Sequence, residues 1–110
     1  MEILLDNKEK LRVEIQFGLT GTNDIKQRKV IEAKRVFQNS GVHSLAIHFD
    51  LFNKQVAFVK LDEIKDDDEH WLTRIYTGEG LLFNIDQNYF VWDLNNTPPA
   101  YQNIIENYYA

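Results

Sequence analysis

From His43 to Leu61 the chain reads HSLAIHFDLFNKQVAFVKL, and this stretch decides the fold class. Leu45, Ile47, Phe49 and Leu51 alternate with Ser44, Ala46, His48 and Asp50. A period of two sends the two sets to opposite sides of an extended strand, one side apolar. Asn53-Lys54 interrupts the run as a turn, and residues 55–61 read as the return strand. Strands joined by so short a turn pair antiparallel.

The pattern continues toward the C-terminus. Residues 71–77 and 81–85 read as strands about the turn Gly78-Glu79-Gly80, and Tyr89 to Leu94 reads as another after Asp86-Gln87-Asn88. Asn95 to Pro99 breaks the sheet, and Pro suits the first turn of a helix because its missing N–H costs nothing there. Tyr101, Ile104, Ile105 and Tyr108 follow helical spacing, which predicts a helix over about 99–108.

Toward the N-terminus, residues 2–5 and the alternating Leu11, Val13, Ile15 and Phe17 predict a hairpin. Between Gly21 and Gly41 a helix over about 24–39 is expected, with Thr22 or Asn23 as its cap. Ile25, Val30, Ala33, Val36 and Phe37 share one arc of it, so Phe37 is expected in the core. The expected order is ββ-α-βββββ-α: an α+β domain over 1–110, with an antiparallel meander sheet and two helices packed on it.

A chain of 110 residues suits one domain and can bury a core unaided. There are no cysteines, which excludes disulfides, thiolate metal sites and cysteine nucleophiles. The start, Met-Glu-Ile-Leu-Leu-Asp, lacks the basic segment and long apolar stretch of a signal peptide, so a cytoplasmic location is expected. No run approaches the roughly 20 apolar residues of a membrane helix.

Charge is unevenly spread. Residues 1–61 carry +3, residues 62–69 carry −5 and residues 70–110 carry −3, giving the net −5. A dense negative field disfavours nucleic acid and favours a basic partner. Asp62, Glu63, Asp66, Asp67, Asp68 and Glu69 form the acidic run. They lack the ligand spacing of a calcium-binding EF-hand loop, so no metal is expected there. The bland alternative is a solvated loop that keeps a sheet edge soluble.

Aromatic residues crowd the same half of the chain. Tyr89 and Asp93 share the more polar side of the last strand, and Tyr109 falls off the apolar stripe of the expected last helix. Tyrosines so placed are enriched at protein interfaces. Lys26, Arg28, Lys29, Lys34 and Arg35 make a basic helix face, but Glu32 interrupts it and no aromatic interleaving suggests base stacking.

Catalytic candidates are few. His43 and His48 lie on opposite faces of one strand, and neither Ser40 nor Ser44 sits in a nucleophile elbow. Gly78-Glu79-Gly80 offers a carboxylate without a partner, and Gly18-x-x-Gly21 lacks the Lys of a phosphate loop. The expectation is therefore not an enzyme, with no catalytic residue, cofactor or metal.

Small, acidic, cysteine-free and without catalytic motifs, the chain resembles toxin-immunity proteins and phage-encoded inhibitors of nucleic-acid enzymes in general profile only. The expected function is binding and neutralising a basic protein such as a toxin or nuclease, with Asp62, Glu63, Asp66, Asp67, Asp68, Glu69, Tyr89, Asp93 and Tyr109 as partner-binding residues. No direct nucleic-acid or membrane contact is expected, and the oligomeric state is open. The alternatives are a small enzyme or ligand-binding domain with a pocket between sheet and helix, and a structural subunit of a phage or other assembly.

Overall fold

The computed structural model describes residues 1–5, 9–75, 78 and 80–98. Along them run β1 (Glu2–Leu4), β2 (Lys10–Gly18), β3 (Asp24–Lys26), α1 (Gln27–Ser40), β4 (His43–Asp50), β5 (Gln55–Lys60), β6 (Trp71–Thr73), β7 (Leu81–Asn84) and β8 (Phe90–Asp93). Single 3-10 turns occupy Leu61–Glu63 and Gln87–Tyr89.

The sheet is not the expected antiparallel meander. One mixed sheet has the order β1-β2-β4-β5-β8, and β3-β7-β6 form a separate three-stranded sheet. The hairpin β1–β2 forms as expected, but β2 then runs parallel to β4, from Leu11 opposite His43 to Gly18 opposite Asp50. The connection is the reason. A parallel pair needs a crossover of a dozen or more residues, usually helical, and α1 supplies it. The hairpin β6–β7 leaves the larger sheet to pair with β3, while β8 returns to β5 with an irregularity between Val56 and Ala57. The described residues hold one α-helix; the second, expected over 99–108, lies outside them.

The helix also starts later than expected. Asp24–Lys26 is a strand, with Ile25 opposite Phe83 on β7. Lys26 stands at the helix N-cap without a side-chain cap bond. Asn23 does not cap because its side chain is bonded to His48 and Asp50. The C-terminal end follows the reading: Gly41 takes the left-handed conformation (φ 72°), and its N–H donates to Phe37 O at 2.8 Å.

Both faces of the larger sheet carry apolar clusters. Val30 and Ala33 of α1 pack with Ile25, Ala46, Ala57, Val59, Leu61 and Phe83 on one side. Leu11, Val13, Leu45, Val56 and Phe58 form the other cluster. Phe37 is not in either buried core; it is 40% exposed and rests against the His43 ring, 4.6 Å between centroids.

Candidate binding surface

The acidic run leaves the end of β5 and is pinned at Leu61 and Ile64, both buried. This anchoring divides the acids into two kinds. Asp62 turns inward: its side chain is 2% exposed, Oδ2 lies 2.7 Å from His43 Nδ1, and Oδ1 accepts the Ser44 N–H at 2.7 Å. Glu63 pairs with Lys60 at 3.2 Å, and Asp66 pairs with Lys34 at 3.0 Å. Asp68 Oδ1 accepts from both the His70 N–H and His70 Nδ1 at 2.8 Å. Asp67 and Glu69 are exposed.

The His70 ring lies between two carboxylates, with Nε2 also 3.8 Å from Asp86. The hydrogen bond to Asp68 is the main cause raising the His70 pKa, with Asp68, Asp86 and Glu69 charges adding to it against burial. Burial opposes ionisation of Asp68, but the bonds from His70 outweigh it and hold its carboxyl below the ordinary range.

Tyr89 ends the 3-10 turn Gln87–Tyr89 and sets its ring edge-to-face on Phe83, 6.2 Å between centroids. It lines a cavity of about 260 Å³ together with Lys60, Glu63, Ile64 and Asp68. Burial raises its phenol pKa, and the charges of Asp68, Asp86 and Glu63 raise it further. The fold thus brings Glu63, Asp68 and Tyr89 to one place. Asp93, exposed on β8 opposite Gln55, lies at the other end of β5 from this cavity. Tyr109 lies outside the described residues.

A polar network occupies the helix side of the larger sheet. Asp50 is fully buried and accepts from Asn23 Nδ2 (3.1 Å), Asn53 Nδ2 (2.8 Å), Gln55 Nε2 (3.0 Å) and the Asn53 N–H (3.2 Å). Burial would raise its pKa, but these bonds prevail and lower it. Asn23 Oδ1 faces His48 Nε2 at 2.8 Å, and Gln16 Nε2 faces His48 Nδ1 at 2.7 Å. Burial lowers the His48 pKa against the pull of Asp50 and Asp24, so the ring is neutral. A cleft of about 300 Å³ beside it is lined by Gln16, Gly18, Asp24, Lys26, Arg28 and His48 among others.

Other constellations are internally engaged. His43, Asp62 and Glu63 hold donor atoms within 4.8 Å of one another. A cation there would have to displace the His43–Asp62 and Lys60–Glu63 contacts, so the group is read as structural. Ser44 Oγ accepts from Arg12 Nη1 at 3.3 Å, which leaves it unsuited as an activated nucleophile. On the basic helix, Lys29 pairs with Glu14 at 3.3 Å and Lys34 with Asp66.

Sequence reading missed the roles of Lys60 and His70, which bond to Glu63 and Asp68 within three residues of them, and of Asp86, which the turn Gln87–Tyr89 brings beside the His70 ring. The expected hairpin spacing gives no signal of that meeting. Comparison with protein-family models, curated proteins and solved structures finds no match to the chain. No helix among the described residues is long and apolar enough to cross a membrane.

Proposed function

We propose that the protein binds a basic protein partner through the surface formed by the acidic run and Tyr89, and so acts as a neutralising inhibitor of the toxin-immunity kind. The supporting observation is the cavity shared by Tyr89, Glu63 and Asp68, with Asp86 adding charge nearby. A half-buried aromatic face beside carboxylates suits an arginine or lysine side chain, through cation–π attraction and through charge pairing in which it takes the place of Lys60 at Glu63. Asp67 and Glu69 stand outside the cavity, where they steer an approaching cationic surface. A nuclease is a fitting target class, because such enzymes must attract phosphates.

The test is affinity capture from the source cells at low salt with the tagged full chain. One stoichiometric basic protein, released by salt and lost with Tyr89→Ala, is the expected result. Retention of no basic protein, or equal retention by the variant, refutes the proposal. A second reading, a ligand-binding domain, rests on the cleft beside His48. Its measure is a set of concentration-dependent NMR shifts at Gln16 and His48 on adding small anions.

A further inference from the structure

We infer that the apolar outer face of the larger sheet is a homodimer interface, covered in solution by a second copy of this chain. The inference is independent of the proposed acidic partner surface.

The face is built by strand register. Phe17, Phe49, Val56 and Trp92 form one row across β2, β4, β5 and β8, and Ile15, Ile47 and Phe58 form the next. Both rows are wholly uncharged. Their rings touch in series: Phe17 stacks on Phe49 at 5.3 Å between centroids, and Phe49 meets Trp92 edge-on at 6.3 Å. The alternation that lines up these rows sends Gln16, His48 and Asp50 to the opposite face, under α1.

This end of the sheet is nevertheless open. Ile15 is 51% exposed and Phe17 63%, while Leu19 and Leu51, just beyond the two strand ends, are 72% and 42% exposed. With about 200 Å² for each large side chain, these four leave on the order of 500 Å² of apolar surface uncovered. That matches the largest patches of about 300–600 Å² on monomers, which are often functional. The partly buried Phe49 and Trp92 extend it toward the roughly 800 Å² per partner of a standard interface.

The absence of charge argues against a charged occupant. A basic protein gains no ion pair on an uncharged face. Two acidic copies repel wherever their acidic runs approach, but this face brings no carboxylate of its two central rows to the contact. A twofold interface must be self-complementary, and a flat uncharged apolar patch meets that requirement without matched charges.

Sedimentation equilibrium of the full chain across a dilution series from about 1 mM to about 1 μM tests this. Twice the chain mass at the upper end is expected, with Phe17→Asp raising the dissociation constant about thirtyfold or more. The variant should keep its circular dichroism spectrum at a concentration where both proteins are monomeric, its unfolding constant rising only by the lost stacking on Phe49, about two- to thirteenfold or about 0.5–1.5 kcal/mol. A wild type monomeric throughout overturns the inference, as does a dimer that Phe17→Asp leaves unchanged.

Discussion

His48 Nε2 lies 2.8 Å from Asn23 Oδ1, and this contact fixes the protonation state of the imidazole. Asn23 uses Nδ2 to donate to Asp50, so its Oδ1 can only accept, and Nε2 must carry a proton. Nδ1 faces Gln16 Nε2, a donor, and must therefore be bare. The buried row Gln16–His48–Asn23–Asp50 is satisfied throughout by a neutral ring and one carboxylate.

The first prediction concerns pH. Burial lowers the His48 pKa, so the unfolded chain binds the proton more tightly. The corresponding stability is present above the unfolded value near 6.5 and is lost as pH falls through the lowered one. His70 has the opposite sign: its pKa is raised, chiefly by Asp68, so its contribution is full below 6.5 and fades as pH rises through the folded value. NMR titration of the ring protons should give a midpoint below 6.5 for His48 and above it for His70. Denaturant melts should lose part of their rise with pH below about 6.5 in His48→Gln and lose part of their fall with pH above about 6.5 in His70→Asn. Equal midpoints for the two rings would refute this.

The second prediction concerns Gly18. An added Cβ would stand 2.9 Å from Asn23 Oδ1 and 3.1 Å from His48 Nε2, so the backbone of β2 is the floor on which these side chains lie. Gly18→Ala should destabilise by about 1–3 kcal/mol, the usual range for overpacking. Urea denaturation measures it, and an unchanged midpoint would show that the network moves aside freely.

The third prediction concerns Asp50, on which the donors of Asn23, Asn53 and Gln55 converge. Asp50→Ala should cost about 1–3 kcal/mol, because the buried Asn23 amide loses its carboxylate acceptor, while the exposed Asn53 can turn to water. A loss below about 1 kcal/mol would mean that water replaces the carboxylate at little cost.

These residues also mark where sequence reading stops. The strand 43–50 is legible because Leu45, Ile47 and Phe49 share an apolar side, and Gly41 is legible as a helix end because left-handed backbone suits glycine. Alternation does not name a strand's neighbour, however, so the parallel pairing of β2 with β4 and the departure of β6–β7 to β3 stay hidden. Asn23 looks like a helix cap by composition, yet a buried carboxylate and imidazole outbid the helix end for its amide. Phe37 fits the apolar arc of α1 but lies near its end, where His43 covers one side of the ring and solvent the other. The acidic run is legible as a charge density. Its division into pinned and outward acids depends on His43, Lys34 and His70, which lie elsewhere or behave unlike their charge count.

The last prediction separates steering from anchoring on the proposed partner surface. Asp68 is half-buried and bonded to His70, so replacing it would disturb the chain as well as its field, and Asp66 is engaged by Lys34 at the surface. Asp67 and Glu69 are exposed, and substitutions at such positions usually stay within about 0.5 kcal/mol of folding stability. Asp67→Asn with Glu69→Gln should therefore leave the melt unchanged and slow association with the captured basic partner. The slowing should be greatest at low salt, where the Debye length is about 30 Å at 0.01 M, and should fade as salt is added. Tyr89→Phe keeps the ring against Phe83, while Tyr89→Ala removes the face offered to a cation. Loss of that anchor should act on dissociation, since interface truncations change the off-rate more than the on-rate. Stopped-flow association and chase dissociation across a salt series give both rates. If the double variant associates like wild type at every salt concentration, the acids are only solvating; if Tyr89→Ala dissociates like wild type, the cavity is not the anchor.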